Sequence, residues 1–101
     1  MVDKLENNQI SALLGDKKNW HVDDHGHYIE KVWEFENFPM AFSFMMRVAF
    51  LSESLKHHPE WSNMSNRVFI RLTTHECNGV SLKDIELAQQ IDMILGDNSD
   101  V

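Results

Sequence analysis

The spacing of apolar residues changes period several times along the chain, and each change predicts an element. Ile10, Leu13 and Leu14 fall at i, i+3 and i+4 and stop at Gly15, which predicts a short amphipathic helix over about residues 6–14, ended by a glycine free to take positive φ. Trp20 and Val22 then alternate with polar neighbours, and Asp23-Asp24-His25-Gly26 supplies turn chemistry. From His27 to Glu36 the alternation resumes with Ile29, Trp33 and Phe35 on one face, so this stretch predicts a hairpin. Lys31 interrupts that face, so either it snorkels at the sheet edge or the register differs from the spacing.

A long helix is expected over 38–56. Asn37 can cap its start, and Pro39 is tolerated in a first turn, where its missing N–H has no partner to lose. On a helical wheel Ala41, Phe44, Val48, Leu51 and Leu55 share one side. Phe38, Phe42, Met45, Met46 and Ala49 share an adjacent one, which leaves Ser43, Arg47 and Ser54 as a narrow polar strip. A sheet covers a single stripe of a helix, so the second stripe is expected to meet another subunit, a two-fold related helix being the simplest partner. The alternative is a helix sunk deep in its own small core.

Trp61–Ser65 and Arg67–Thr74 read as a second strand pair around Asn66, with Val68, Ile70 and Leu72 at period two. Ser81-Leu82-Lys83-Asp84 is a capping box, and Leu82, Ile85, Ala88, Ile91 and Ile94 continue at helical spacing to Gly96. Residues 97–101 are expected to fray. The order α-β-β-α-β-β-α implies an α+β fold: a four-stranded antiparallel sheet with three helices on one face. No repeat or linker divides the chain, so residues 1–101 are expected to form one domain.

Composition narrows the function classes. At 43% hydrophobic and 25% charged the chain has enough apolar material for a packed core. A net charge of −7 with no basic cluster argues against nucleic acid or anionic membrane as a partner. No apolar run approaches the 18 or so residues that cross a bilayer. Cys77 is the only cysteine, which excludes an intramolecular disulfide, and no basic stretch followed by an apolar one opens the chain, so the cytoplasm is the expected compartment.

Candidate chemistry lies in the six histidines. His21, His25 and His27 surround the first hairpin turn and read as idle surface rings. His57-His58-Pro59 differs, because two imidazoles end the long helix and Pro59 forces the residue before it out of helical geometry, so the rings diverge. One can approach a pocket between helix and sheet; equally, the pair can simply favour a helix C-terminus as cations. His75 follows the last strand in the polar loop Thr73-Thr74-His75-Glu76-Cys77-Asn78-Gly79, where strand end and helix start converge. Asp84 either satisfies the capping box alone or also serves a site. Glu53 stands one helical turn before His57 and is expected to orient that ring, or else is a solvated surface acid.

Two other chemistries fit less well. The ligand-type side chains around His75, Cys77 and Asp84 show no His-x-x-x-His or Cys-x-x-Cys spacing, which argues against zinc, and no metal site is expected. A nucleophilic Cys77 needs a stabilised thiolate, for which His75 two residues away is weak support; a small buried filler is the simpler reading.

Together Glu53-x-x-x-His57-His58-Pro59-Glu60-Trp61, Thr73-Thr74-His75-Glu76-Cys77-x-Gly79 and Asp84 resemble the pterin-4a-carbinolamine dehydratase family, and the similarity runs from the Trp20 strand through Phe42-x-Phe44-Met45-x-Arg47-Val48-Ala49 to the last helix. The resemblance implies a 4a-hydroxytetrahydrobiopterin dehydratase, a hydro-lyase of tetrahydrobiopterin recycling that removes water from a 4a-hydroxytetrahydropterin with no cofactor. It also implies a homodimer or homotetramer, here through the 38–56 helix. On that analogy His57, His58 and His75 line the site. His57 and His75 exchange protons with the 4a-hydroxyl and ring nitrogen, while His58 and Pro59 position the pterin. Thr73, Thr74 and Glu76 offer polar partners to its pyrimidine edge, and Asp84 or Glu53 tunes the imidazoles.

Two positions depart from the family's usual pattern: Ser65 stands where an aromatic residue is common, and Lys56 where an acid is common. The first is expected to weaken a packing or stacking contact with the pterin. A second reading, from another class, is a non-catalytic scaffold that binds pterin or a transcription regulator through its Met and Phe stripe. Three rings facing a common cavity would favour the enzyme.

Overall fold

Four antiparallel strands in the order β1-β2-β4-β3 carry three helices in the computed structural model, which describes residues 2–15 and 19–96. In chain order they are α1 (Asn7–Leu14), β1 (His21–Val22), β2 (Ile29–Glu34), α2 (Phe38–Leu55), β3 (Glu60–Met64), β4 (Arg67–Leu72) and α3 (Leu82–Ile94). This is the α-β-β-α-β-β-α order and the α+β class that the sequence predicts. The expected frayed tail lies outside the described residues.

Alternation sets the inner face of the sheet. Ile29 and Trp33 of β2 and Val68, Ile70 and Leu72 of β4 are buried, and they join Phe44 and Val48 of α2 and Ile91 of α3 in one apolar cluster. Apolar burial on this scale is the main stabilising term for a domain of this size. The first apolar stripe of α2 is the buried one, with Ala41, Phe44 and Val48 inside. The second is exposed in the single chain, with Phe42, Met46 and also Phe50 facing outward.

Lys31 settles between neither of its two expected alternatives. It points inward from β2, and its Nζ lies 3.0 Å from Asp92 Oδ1 on α3, while Trp20 Nε1 donates to Asp92 Oδ2 at 2.9 Å. The ammonium sits over the Trp20 and Trp33 rings. The register therefore holds and the charge is buried as a pair, which a single strand's pattern cannot reveal.

The second hairpin is shorter at its carboxyl end than the sequence suggests. β4 stops at Leu72, because Thr74 pairs instead with Gly79 across a tight loop. At the other end Ser65 and Asn66 form the turn, Ser65 at φ 52°, with Asn63 Nδ2 donating to the carbonyls of Ser65 and Arg67. Since Glu60 is paired with Arg71, the His57-His58-Pro59 segment before β3 and the Thr73–His75 segment after β4 emerge at the same end of the sheet.

Candidate active site

The site is assembled from three chain segments at that end. α2 finishes at Leu55, and Lys56 caps it in the left-handed conformation, φ 55° and ψ 42°. Few residues other than glycine adopt that conformation, so Lys56 is held there by the turn it makes. The cap turns the chain so that His57 N–H donates to Ser52 O at 3.0 Å. The ring of His57 then runs toward α3, where Nε2 meets Asp84 Oδ1 at 2.5 Å; the ring is largely buried and the carboxylate wholly so.

Asp84 fulfils both roles that its sequence position left open. Its Oδ2 accepts the Ser81 N–H at 2.9 Å, closing the capping box of α3, and also accepts the Thr74 hydroxyl at 2.7 Å. Ser81 Oγ lies 2.7 Å from Thr74 Oγ1 and completes the network. A carboxylate that only accepts hydrogen bonds keeps the His57 proton on Nε2 and leaves Nδ1 as the ring nitrogen free to work.

Glu53 does not orient His57. Its Oε2 lies 2.8 Å from His58 Nε2, and both side chains are strongly exposed. The left-handed cap at Lys56 breaks the helical i, i+4 relationship on which the expectation rested and sends His57 inward. Such an exposed pair contributes little to stability.

His75 begins a short 3-10 turn, His75–Cys77, cinched by the Thr74–Gly79 bridge. The loop is pressed against the first hairpin turn: Val80 N–H donates to Gly26 O at 3.0 Å, and a Cβ at Gly79 would come within 2.8 Å of that same carbonyl oxygen. Glycine is therefore required at 79 by close backbone approach. The His75 ring is exposed and lines a cavity of about 200 Å³ with His27, Tyr28, Glu60, Arg71, Thr73 and Asn78. Neither His57 nor His58 lines that cavity, so in the single chain the three rings do not face one common cavity as the sequence led us to expect; Thr74, between the cavity residues Thr73 and His75, links it to the His57–Asp84 pair.

Several expected polar partners are engaged elsewhere. Thr73 Oγ1 donates to His27 O at 2.6 Å, and Glu76 Oε1 accepts from Lys83 Nζ at 3.2 Å. Pro59 is half-buried and leads directly into β3. Cys77 is half-buried with its thiol toward the carbonyls of Thr74 and Gly79, as a small filler would be. Among the described residues no three His, Cys, Asp or Glu side chains are grouped as a metal site. Ser65 follows β3 at the end opposite the His57 segment, about 16 Å along the strand from Glu60.

Sequence reasoning left His27 idle and did not single out Tyr28, Glu60, Arg71 or Asn78. For Tyr28, Glu60 and Arg71 the signal was the alternation at or beside the ends of β2, β3 and β4, which becomes a site only once strand pairing brings those ends together, while Asn78 comes from the end of the 3-10 turn. Arg71 holds its proton more tightly than usual, chiefly through its hydrogen bonds to Glu30, with Glu60 adding to the effect.

A model of the family described as pterin 4 alpha carbinolamine dehydratase matches residues 3–94. The chain belongs to this family. Among similar proteins, one from Prochlorococcus marinus (strain NATL2A) is 43% identical over 95 residues, covering 94% of this chain and 98% of its own. Another, from Rhodospirillum rubrum, is 40% identical over 96 residues, covering 95% of this chain and 100% of its own. Both carry the provisional name pterin-4-alpha-carbinolamine dehydratase. The crystal structure of a transcriptional coactivator/pterin dehydratase from Brucella melitensis superposes with a TM-score of 0.85 at 36% identity, covering 92% of this chain and 99% of that one. The matched residues 3–94 include every helix and strand and the His57-His58-Pro59 and Thr73-Thr74-His75 segments.

Proposed function

We propose that this chain is a dehydratase that removes water from a 4a-hydroxytetrahydropterin to give the quinonoid dihydropterin. In the elimination the C4a–O bond breaks, its oxygen leaves protonated as water, N5 loses its proton, and the N5–C4a double bond forms. Atoms and electrons balance without an oxidant or reductant. The protein must supply an acid at the hydroxyl and a base at N5, and an imidazole can serve either role near neutral pH, contributing about 10²–10⁴-fold.

The observation that carries this reading is the chain His57–Asp84–Thr74, with His75 as the next residue after Thr74. A ring fixed through Nε2 by a buried carboxylate offers a single oriented nitrogen, and positioning of that kind is where such catalysis gains its rate. His57 and His75 exchange the protons, and exposed His58, paired with Glu53, positions the pterin together with Pro59. The pathway is tetrahydrobiopterin recycling in the cytoplasm, by an enzyme that needs no cofactor. It works as a homodimer or homotetramer joined through α2, whose outer stripe of Phe42, Met46 and Phe50 is exposed in the single chain.

A continuous absorbance assay following loss of the carbinolamine, measured above its spontaneous rate, tests the proposal. His75→Ala should lower the enzymatic rate by about 10²-fold or more. Near-wild-type turnover would remove His75 from catalysis, and no rate above background from the unaltered chain would favour the non-catalytic scaffold reading.

A further inference from the structure

The residues beside His75 with hydrogen-bonding capacity to spare are not those the sequence pointed to. The hydroxyl protons of Thr73 and Thr74 go to His27 O and Asp84 Oδ2, and Glu76, paired with Lys83, does not line the cavity. Glu60, in the same cavity as His75, is exposed and has no side-chain hydrogen bond among the described residues. Arg71, its cross-strand partner, uses Nε and Nη2 on Glu30 Oε1 at 3.0 and 2.8 Å, which leaves three of its five N–H donors free.

We infer that Glu60 and Arg71 bind the amide edge of the pteridine ring, Glu60 accepting from N3–H and the 2-amino group while Arg71 donates to the C4 carbonyl oxygen. The inference rests on the pterin reading proposed above and names the side chains that recognise the ring in it. The chemistry matches term for term. That edge presents two adjacent donors and one acceptor, which a carboxylate beside a guanidinium complements. Directly opposed residues of an antiparallel pair bring their Cβ atoms to about 5 Å, so the two heads can meet one ring edge together. Glu30 already neutralises Arg71 and Glu60 adds a further negative charge, so the patch favours a neutral ligand rich in donors over an anion.

Arg71 is also held in place before any ligand arrives. Its guanidinium carbon lies 3.9 Å from the Tyr28 ring centroid, and the fork on Glu30 fixes its plane. A donor group ordered in advance loses little freedom on binding. Glu60 stands two residues after His58, and Arg71 four before His75, so recognition and proton transfer are joined through short lengths of backbone.

The test is equilibrium binding to the full chain, read by fluorescence, of two probes: oxidised pterin, and lumazine, which carries a 2-oxo group in place of the 2-amino group. Glu60→Gln should weaken pterin by about tenfold or more and remove most of the preference for pterin over lumazine. Arg71→Met should weaken both probes by about tenfold or more, since both carry the C4 carbonyl, and Arg71→Lys should recover part of the loss. Thermal melts accompany each variant, and Glu60→Gln keeps the test valid if the Arg71 variants melt early. Wild-type pterin affinity in Glu60→Gln, or an unchanged preference between probes, overturns the inference while leaving a measured dehydratase activity standing. Failure of the unaltered chain to bind pterin at all overturns both.

Discussion

His57 Nε2 lies 2.5 Å from Asp84 Oδ1, a contact between residues 27 apart that ties the end of α2 to the first turn of α3. The same carboxylate caps α3 through Ser81 and holds Thr74. Asp84→Asn separates these duties. An amide oxygen in the place of Oδ2 still accepts from Ser81 and Thr74, but the NH2 group in the place of Oδ1 donates to Nε2, driving the His57 proton to Nδ1 and removing the charge that stabilises an imidazolium. Dehydration should fall by about 10²-fold or more, with a melting temperature near that of the unaltered chain. Asp84→Ala loses the cap as well and should melt lower by several degrees, reflecting about 1 kcal/mol or more. Equal activity in Asp84→Asn and wild type would show that His57 does not need the carboxylate.

Which parts of this were legible in the sequence follows from the range of the interactions. Ser81 and Asp84 belong to one turn, so the capping box could be read directly, whereas the contact between Asp84 and His57 depends on how two helix ends meet. The i, i+4 rule suggested Glu53 for His57; a left-handed Lys56 at the helix end redirected both rings, and no periodicity reports a cap of that kind. Lys31 was visible as an interruption in β2, but its partner Asp92 looks like an ordinary polar position of α3. The cavity beside His75 was hidden for a similar reason: Tyr28, Glu60 and Arg71 come from three strand ends, and only pairing makes them neighbours.

The Lys31–Asp92 pair predicts an asymmetry in stability. The two side chains are 9% and 2% exposed, and Asp92 keeps only the Trp20 N–H if the lysine is removed. Lys31→Met should therefore destabilise by about 3 kcal/mol, because it leaves a buried carboxylate without its counter-charge. For a domain of about 100 residues this lowers the melting temperature by more than about 10 °C. Lys31→Met combined with Asp92→Asn removes the orphaned charge, retains an acceptor for Trp20, and should regain much of the loss. Single and double variants that melt together would show that the charge is not the cause.

Asp23 gives the first hairpin turn a pH dependence. Its Oδ2 accepts the backbone N–H groups of His27 at 3.0 Å and His25 at 3.2 Å, and the bond from His27 is the main reason its pKa is held below the usual 3.8. A carboxyl group whose pKa is lower folded than unfolded stabilises the protein above the unfolded value, and that contribution is lost as pH falls through the folded one. The stability gap between wild type and Asp23→Asn, measured by urea unfolding, should be present at about pH 7 and close as pH drops below about 3.8. A gap that persists undiminished at about pH 3 would assign it to shape instead of charge.

The outer stripe of α2 predicts assembly. Phe50 is 71% exposed and Phe42 50%, on a helix whose opposite side is already packed in the core. Burying a phenylalanine stabilises by about 1.5–3 kcal/mol, and a two-fold interface counts each side chain twice. Phe50→Glu should therefore raise the dissociation constant of the assembly by about 10²-fold or more, since it removes one apolar contact from each subunit and puts a charge in its place. Light scattering across a dilution series reads the change directly, with the mass falling toward the 11.8 kDa of one chain. The same variant should keep its melting cooperativity, because Phe50 takes no part in the core beneath the sheet. A mass of one chain in the unaltered protein, or an unchanged mass in Phe50→Glu, would exclude this stripe as the interface.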